Sequence, residues 1–164
     1  MTSFSLANLP QPAQGGRKDI KMYNYTSMDS MESGFEELPH TADWAVRVWA
    51  GSLPELFVEA ARAMNTLSGV KPAPGPRCQR TIEANAPDLE SLLVTFLSEL
   101  VYLVEHEKLA FDIFNIDIQD TQLKVTMSGS SILSLSKSIK AVTYHNLQIC
   151  KTEHGFHTEI VFDV

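Results

Sequence analysis

Several things are scarce in this sequence, and each shortage excludes a class of protein. There are two cysteines in 164 residues, Cys78 and Cys150, too few and too far apart for a disulfide framework or a zinc motif. They read as free, buried thiols of a reducing compartment. The longest uninterrupted apolar run is Leu100 to Val104, far short of the roughly 20 residues that a membrane-spanning helix needs. No basic stretch followed by an apolar one opens the chain, so no secretory signal is visible. These absences predict a cytoplasmic protein that does not engage a membrane. Positive charge is scarce too: 13 Lys and Arg stand against 20 Asp and Glu, a formal net charge of −7. Tight nucleic-acid binding normally relies on a clustered Lys/Arg surface that displaces counterions from phosphates. No such cluster occurs, so direct high-affinity binding to RNA or DNA is not expected. Catalytic signatures are missing as well, with no Gly-x-Ser-x-Gly elbow, glycine-rich phosphate loop or His-Glu-x-x-His helix.

What is present describes an ordinary globular chain, 44% apolar and 20% charged, of a length that suits one domain with a single core. Residues 1–34 read as a flexible N-terminal tail: Gln11 to Gly16 is rich in turn formers, and Lys18 to Glu32 holds no sustained period. The tail's three positive and three negative charges cancel, which leaves the whole excess of acid in a domain spanning residues 35–164.

Within that domain, alternation from Trp44 to Trp49 predicts a strand ending at Gly51. Ser52-Leu53-Pro54-Glu55 then forms a capping box, and Leu53, Leu56, Phe57, Ala60, Ala61, Met64 and Leu67 follow at helical spacing before Gly69. Pro72 to Pro76 is a break, and Arg80 to Ala84 is a short strand. Asp88 caps a second helix whose wide apolar stripe runs from Leu89 to Val104 and predicts the centre of the core. Phe111, Ile113, Ile116 and Ile118 share one strand face if a bulge lies near Phe114, and Leu123 to Met127 returns after a turn at Asp120-Thr121. Ser128 to Ser138, with six serines, reads as a polar loop, and Ile139–Ile149 with Phe156–Phe162 reads as a last hairpin turning at Thr152 to Gly155. Strands and helices without regular βαβ alternation predict an α+β fold, two main helices packed on mostly antiparallel sheet. A duplicated strand-helix-strand-strand unit is compatible with this order.

Three constellations could carry chemistry. Leu38-Pro39-His40-Thr41-Ala42-Asp43 precedes the first strong strand, and its His and Asp could be an acid/base pair, metal ligands or turn-capping residues. At the other extreme, Ile160 to Val164 ends on Asp163 and the terminal carboxylate of Val164, two negative groups that repel unless a cation intervenes. Were Asp43 on a neighbouring strand, three carboxylates would converge into an oxygen-rich site for a hard cation, as Ca²⁺ prefers and Mg²⁺ accepts more strictly. Lys140-Ala141-Val142-Thr143-Tyr144-His145 is the third. Taken alone, its Lys is better read as a solvated strand lysine and its His as a satisfied surface or hairpin histidine. His106, His154 and His157 show no metal-ligand spacing.

Together, these segments resemble the archease family. The resemblance rests on Leu38 to Asp43, on Gly51 to Phe57 opening a helix, on Ile139 to His145 and on Val161 to Val164, with Leu92 to Ile118 similar to the family's central helix and following strand. It covers residues 35–164 and leaves the tail outside. It implies an accessory protein without catalysis of its own, which activates the GTP-dependent RNA ligase of tRNA splicing and RNA repair by promoting its guanylylation and multiple turnover. A chaperone or adaptor role toward a tRNA methyltransferase is also associated with the family. By motif position the resemblance implies Asp43, Asp163 and Val164 as metal ligands, Lys140 as the functional basic residue, His40 as a supporting group, and Ca²⁺ as the metal. A competing expectation from the residues alone is a small metal-dependent phosphoester hydrolase using His40, Asp43, His145 and Asp163 on a water.

Overall fold

A computed structural model of the chain describes residues 32–40 and 42–164. The tail expectation, apart from its last residues from Glu32, and Thr41 of the first motif lie outside the described residues. Eleven elements of regular structure follow: β1 Gly34–Leu38, β2 Trp44–Ala50, α1 Leu53–Ser68, β3 Lys71–Pro72, β4 Cys78–Asn85, α2 Leu89–Tyr102, β5 Leu109–Gln119, β6 Gln122–Ser134, β7 Ala141–Val142, β8 Cys150–Thr152 and β9 Gly155–Asp163. A π-helical turn over Leu103–Glu107 extends α2. The fold is α+β, with two helices and two antiparallel sheets. In the first sheet β1, β2 and β9 lie side by side, with β7 and β8 both pairing to β9. In the second, β6 is flanked by β5 on one side and by β4 and β3 on the other. A contiguous strand-helix-strand-strand unit, β4-α2-β5-β6, is inserted between β2-α1 and the hairpin β8-β9 that completes the first sheet.

Local chemistry explains where the helices begin and stop. The Ser52 hydroxyl accepts from the Glu55 N–H at 3.4 Å and meets the Glu55 carboxylate at 3.1 Å, so the capping box forms as the sequence predicts. α1 ends in a Schellman motif: Gly69 takes φ 63°, the Val70 N–H reaches the Asn65 carbonyl and the Gly69 N–H that of Thr66. At α2 the Asp88 carboxylate accepts from the Ser91 N–H at 2.7 Å. Hydrogen bonding from Ser91 holds that carboxyl below its ordinary value.

One core joins both layers. α1 rests on β2 and also reaches β5 of the other sheet, while α2 rests on β4 and β7. Phe57, Phe96, Phe162, Leu92, Leu93 and Ile160 are fully buried. Phe96 is the hub, stacked on Phe57 and edge-on to Phe114, each at 6.1 Å between ring centroids. On the outer face of the first sheet, Arg47 bridges Glu36 at 3.0 Å and Glu159 at 2.7 Å across three strands. The Glu159 hydrogen bond raises the Arg47 pKa.

Four expectations need correction. The bulge falls between Phe111 and Ile113, not near Phe114; Ile113 is therefore turned out, 58% exposed, and Phe114 turned in against Phe96. Arg77 pins this bulge by pairing with Asp112 and donating to the Ser128 hydroxyl and carbonyl. The serine-rich segment is not a loop throughout, because β6 continues to Ser134. Its small residues answer to crowding: a Cβ on Gly129 would stand 2.0 Å from the Ala110 carbonyl oxygen, and buried Ser130 donates to the Ala73 carbonyl at 2.7 Å. The segment from Ile139 to Ile149 is no continuous strand and pairs only at β7, with β8 following at Cys150. Finally, both thiols are free but only half-buried.

The Schellman glycine also fixes the next loop. Ser136 and Lys137 donate their backbone N–H groups to the Ser68 carbonyl, and a Cβ on Gly69 would lie 2.4 Å from Ser136 Oγ. Gly69→Ala is therefore expected to lose about 1–3 kcal/mol, from left-handed strain and displacement of Ser136. Urea unfolding checks this, and a change below roughly 0.5 kcal/mol would contradict it.

Candidate functional site

The antiparallel register between the first sheet's central strands assembles the site. β2 and β9 pair Trp44 with Phe162, so Asp43 and Asp163, each one residue beyond that pair, emerge at the same end of the sheet. β7 pairs Ala141 with Asp163, which brings Lys140 to that end as well. The Lys140 N–H donates to the Asp163 carbonyl at 2.8 Å, and its ammonium Nζ donates to the Val164 carbonyl oxygen at 3.0 Å. Residues from opposite halves of the domain thus meet because three strands share one sheet. Asp43 is half-buried; Asp163 and Lys140 are exposed.

The sequence pattern gives no reason to single out Lys137, yet it belongs to this end. Its ammonium lies 5.1 Å from the centre of the Trp44 ring, a cation–π contact, and its position follows from the anchoring on Ser68 described above. Two carboxylates and two lysines therefore share this end of the sheet, Lys137 through the Ser68-anchored loop and Lys140 through its backbone bond to Asp163.

His40 is exposed and lies on the segment leading into β2, next to Thr41, which is outside the described residues. His145 is not brought to the carboxylates. The Thr143 N–H bonds to the Val161 carbonyl, so the chain after β7 tracks away from Asp163, and the His145 ring meets Asn146 at 3.2 Å instead. Among the described residues, no three His, Cys, Asp or Glu side chains gather as a metal cage, and the four groups of the hydrolase alternative are not drawn into one water-activating cluster.

As donors, Asp43, Asp163 and the Val164 carbonyl are all oxygens, the chemistry a hard cation requires. They would supply about half of the six to eight ligands of a Ca²⁺ shell, leaving the outer half to water or to a partner. The donor set thus fits a rim-bound, incompletely caged ion. The Lys140 ammonium already sits on one of these oxygens and offsets part of the local negative charge.

Comparison with known proteins agrees with this architecture. The model of the Archease protein family (MTH1598/TM1083) matches residues 35–164. A protein named archease from Methanosarcina barkeri is 35% identical over 147 residues, covering 84% of this chain and 100% of that one. The archease of Methanopyrus kandleri is 32% identical over 143 residues, 79% of this chain and 99% of the other. The solution structure of protein 1598 from Methanobacterium thermoautotrophicum superimposes with a TM-score of 0.60 at 25% identity, over 80% of this chain and 99% of that one. The crystal structure of a Thermotoga maritima protein described as an archease, possible chaperone, gives the same score at 23% identity, over 79% and 96%. Among the described residues no helix is long and apolar enough to cross a membrane.

Proposed function

The chain belongs to the archease family, and from that premise we propose that it is a metal-binding accessory protein that activates a GTP-dependent RNA ligase. The observation that supports this reading is the meeting of Asp43, Asp163 and Lys140 at one end of the first sheet, where the motif segments of the resemblance converge from both ends of the domain. In this reading Asp43 and Asp163, with the Val164 carbonyl, would hold a Ca²⁺-like ion. Such an ion supplies localised positive charge, which helps where negative charge on GTP phosphates develops during guanylyl transfer. The chain's own residues do the rest. The pairing of β2, β7 and β9 keeps the tip rigid, Lys140 orients the Val164 oxygen, and the unfilled outer ligand positions are left for the partner.

The protein acts on the enzyme and leaves RNA to it, in keeping with the net charge of −7. No catalytic residue is assigned to this chain, and its working place in this reading is the cytoplasm. A chaperone or adaptor role toward a tRNA methyltransferase is the second reading. A chaperone role is named as possible for the Thermotoga maritima protein that shares the fold.

Lys140 separates the two. Lys140→Ala is expected to reduce ligase guanylylation by at least about tenfold, in line with losing one charge-assisted contact, with Lys140→Arg recovering part of it. Full stimulation by Lys140→Ala would remove this residue from the mechanism, and a protein that stabilises a methyltransferase without touching ligase turnover would favour the second reading.

A further inference from the structure

The segment from Leu135 to Lys140 carries both lysines of the site, and two backbone bonds account for only part of its anchoring. The N–H groups of Ser136 and Lys137 are tied to the Ser68 carbonyl, and Ile139, just before Lys140, is buried. Beneath these anchors lies a small space of about 10 Å³, lined by Leu135 and Ile139 of the segment together with Asn65, Ser68, Val104 and Glu105. Asn65 and Ser68 come from the last turn of α1, Val104 and Glu105 from the π-helical turn after α2.

One polar atom of these walls is unserved. Oxygen Oε1 of Glu105 is shut off from solvent and has no hydrogen-bond donor among the described residues; native structures rarely leave such an acceptor bare. The polar neighbours are engaged elsewhere. The Asn65 amide donates to the Phe111 carbonyl at 2.8 Å, and the Ser68 hydroxyl donates to the Asn65 carbonyl at 3.2 Å. Each side chain still has oxygen lone pairs to offer.

A water molecule meets these needs. Its two hydrogens serve Glu105 Oε1 and a lone pair on Asn65 or Ser68, and about 10–15 Å³ is the volume at which a cavity first admits one water. No side chain enters so small a space. A hard cation asks for roughly six to eight oxygens, whereas Val104, Leu135 and Ile139 make much of this lining aliphatic.

We infer that this space is a binding site for one structural water, and that Glu105, acting through that water, is a positioning residue for the segment that delivers Lys140. The water ties the turn after α2 to the end of α1 where the segment is anchored. The water site stands on the cavity and the orphaned oxygen; its consequence for activity rests on the reading that Lys140 acts on a ligase.

A crystal structure of the wild-type chain at a resolution that shows ordered solvent tests the site. One water is expected within hydrogen-bond distance of Glu105 Oε1 and of Asn65 or Ser68. A dry space, a Glu105 Oε1 turned to solvent, or a metal ion in the water's place would overturn the proposal. Amide hydrogen exchange reads the anchoring. Glu105→Leu, which removes the acceptor, is expected to speed exchange at Ser136 and Lys137 by at least about tenfold, while Glu105→Gln, which keeps an oxygen, stays within about threefold of wild type. Unchanged exchange in Glu105→Leu, or equal acceleration in both variants, would overturn the positioning role. Should Glu105→Leu fail to fold, wild-type-like exchange in Glu105→Gln supports the role and tenfold acceleration in it overturns it.

Ligase stimulation supplies the last readout. Glu105→Leu is expected to lower it about fivefold, and to lower it no further in a Lys140→Ala background, because the effect passes through that lysine. A double variant in which the two losses multiply would overturn the positioning role and leave the activator reading standing. Should the wild-type protein itself not stimulate, the activator reading fails, and the crystal structure and the exchange rates decide the water site.

Discussion

Replacing Asp163 with Ala, or Asp43 with Ala, is expected to abolish stimulation of the ligase, lowering guanylylation by at least about a hundredfold toward the rate without this protein. In the proposed reading Asp43, Asp163 and the Val164 backbone oxygen are the oxygens that the described residues bring to this end, so removing either aspartate would leave too few charged ligands to retain a hard cation against water. Asp163 is exposed and Asp43 half-buried, and neither forms an ion pair among the described residues with a side chain of opposite charge. Stability should therefore stay within about 1 kcal/mol of wild type, and thermal unfolding followed by circular dichroism separates loss of function from loss of fold. If both variants stimulate normally, the metal tip is wrong; if both unfold, the carboxylates have a structural role that their exposure does not indicate.

The second large effect lies in the core. Phe96→Ala is expected to cost about 3–5 kcal/mol, since the ring is fully buried and joins Phe57 of α1 to Phe114 of β5. Its loss leaves a cavity at the junction of the two sheets, where neither side can collapse without shifting a helix. Denaturant unfolding reads this directly. A loss below roughly 1.5 kcal/mol would mean that the two layers do not share one core.

Phe96 was legible in the sequence because α2 repeats its apolar residues over four turns, and a periodic signal of that length outweighs local noise. Caps were legible for a similar reason: Ser52, Asp88 and Gly69 each perform a task that the backbone sets within a few residues. Phe114 was not, since the position of a bulge depends on Arg77, just before β4, reaching across to Asp112 and Ser128. Nor was the length of β6, where serine and glycine resemble a loop until the crowding against Ala110 is seen. The strand from Ile139 shortens because its start is tied to the Asp163 carbonyl and its neighbour Thr143 to that of Val161, after which the chain turns away.

The site divides along the same line. Asp43, Asp163, Lys140 and Val164 could be picked out from their motifs, and the strand register explains how they meet. Lys137 arises from tertiary placement, through an anchor on Ser68. Residue spacing carries no trace of it. Acidity, which argues against RNA contact at the outset, is in keeping with the proposal that this domain acts on a protein and leaves RNA to it.

The most direct measurement is the rate at which guanylate passes from labelled GTP to the purified ligase, with this protein added either loaded with Ca²⁺ or stripped of metal and desalted. The account predicts marked acceleration by the loaded protein, none by the stripped protein, and recovery when Ca²⁺ is returned to it. Equal rates with and without the protein, or equal acceleration by both forms, would contradict it.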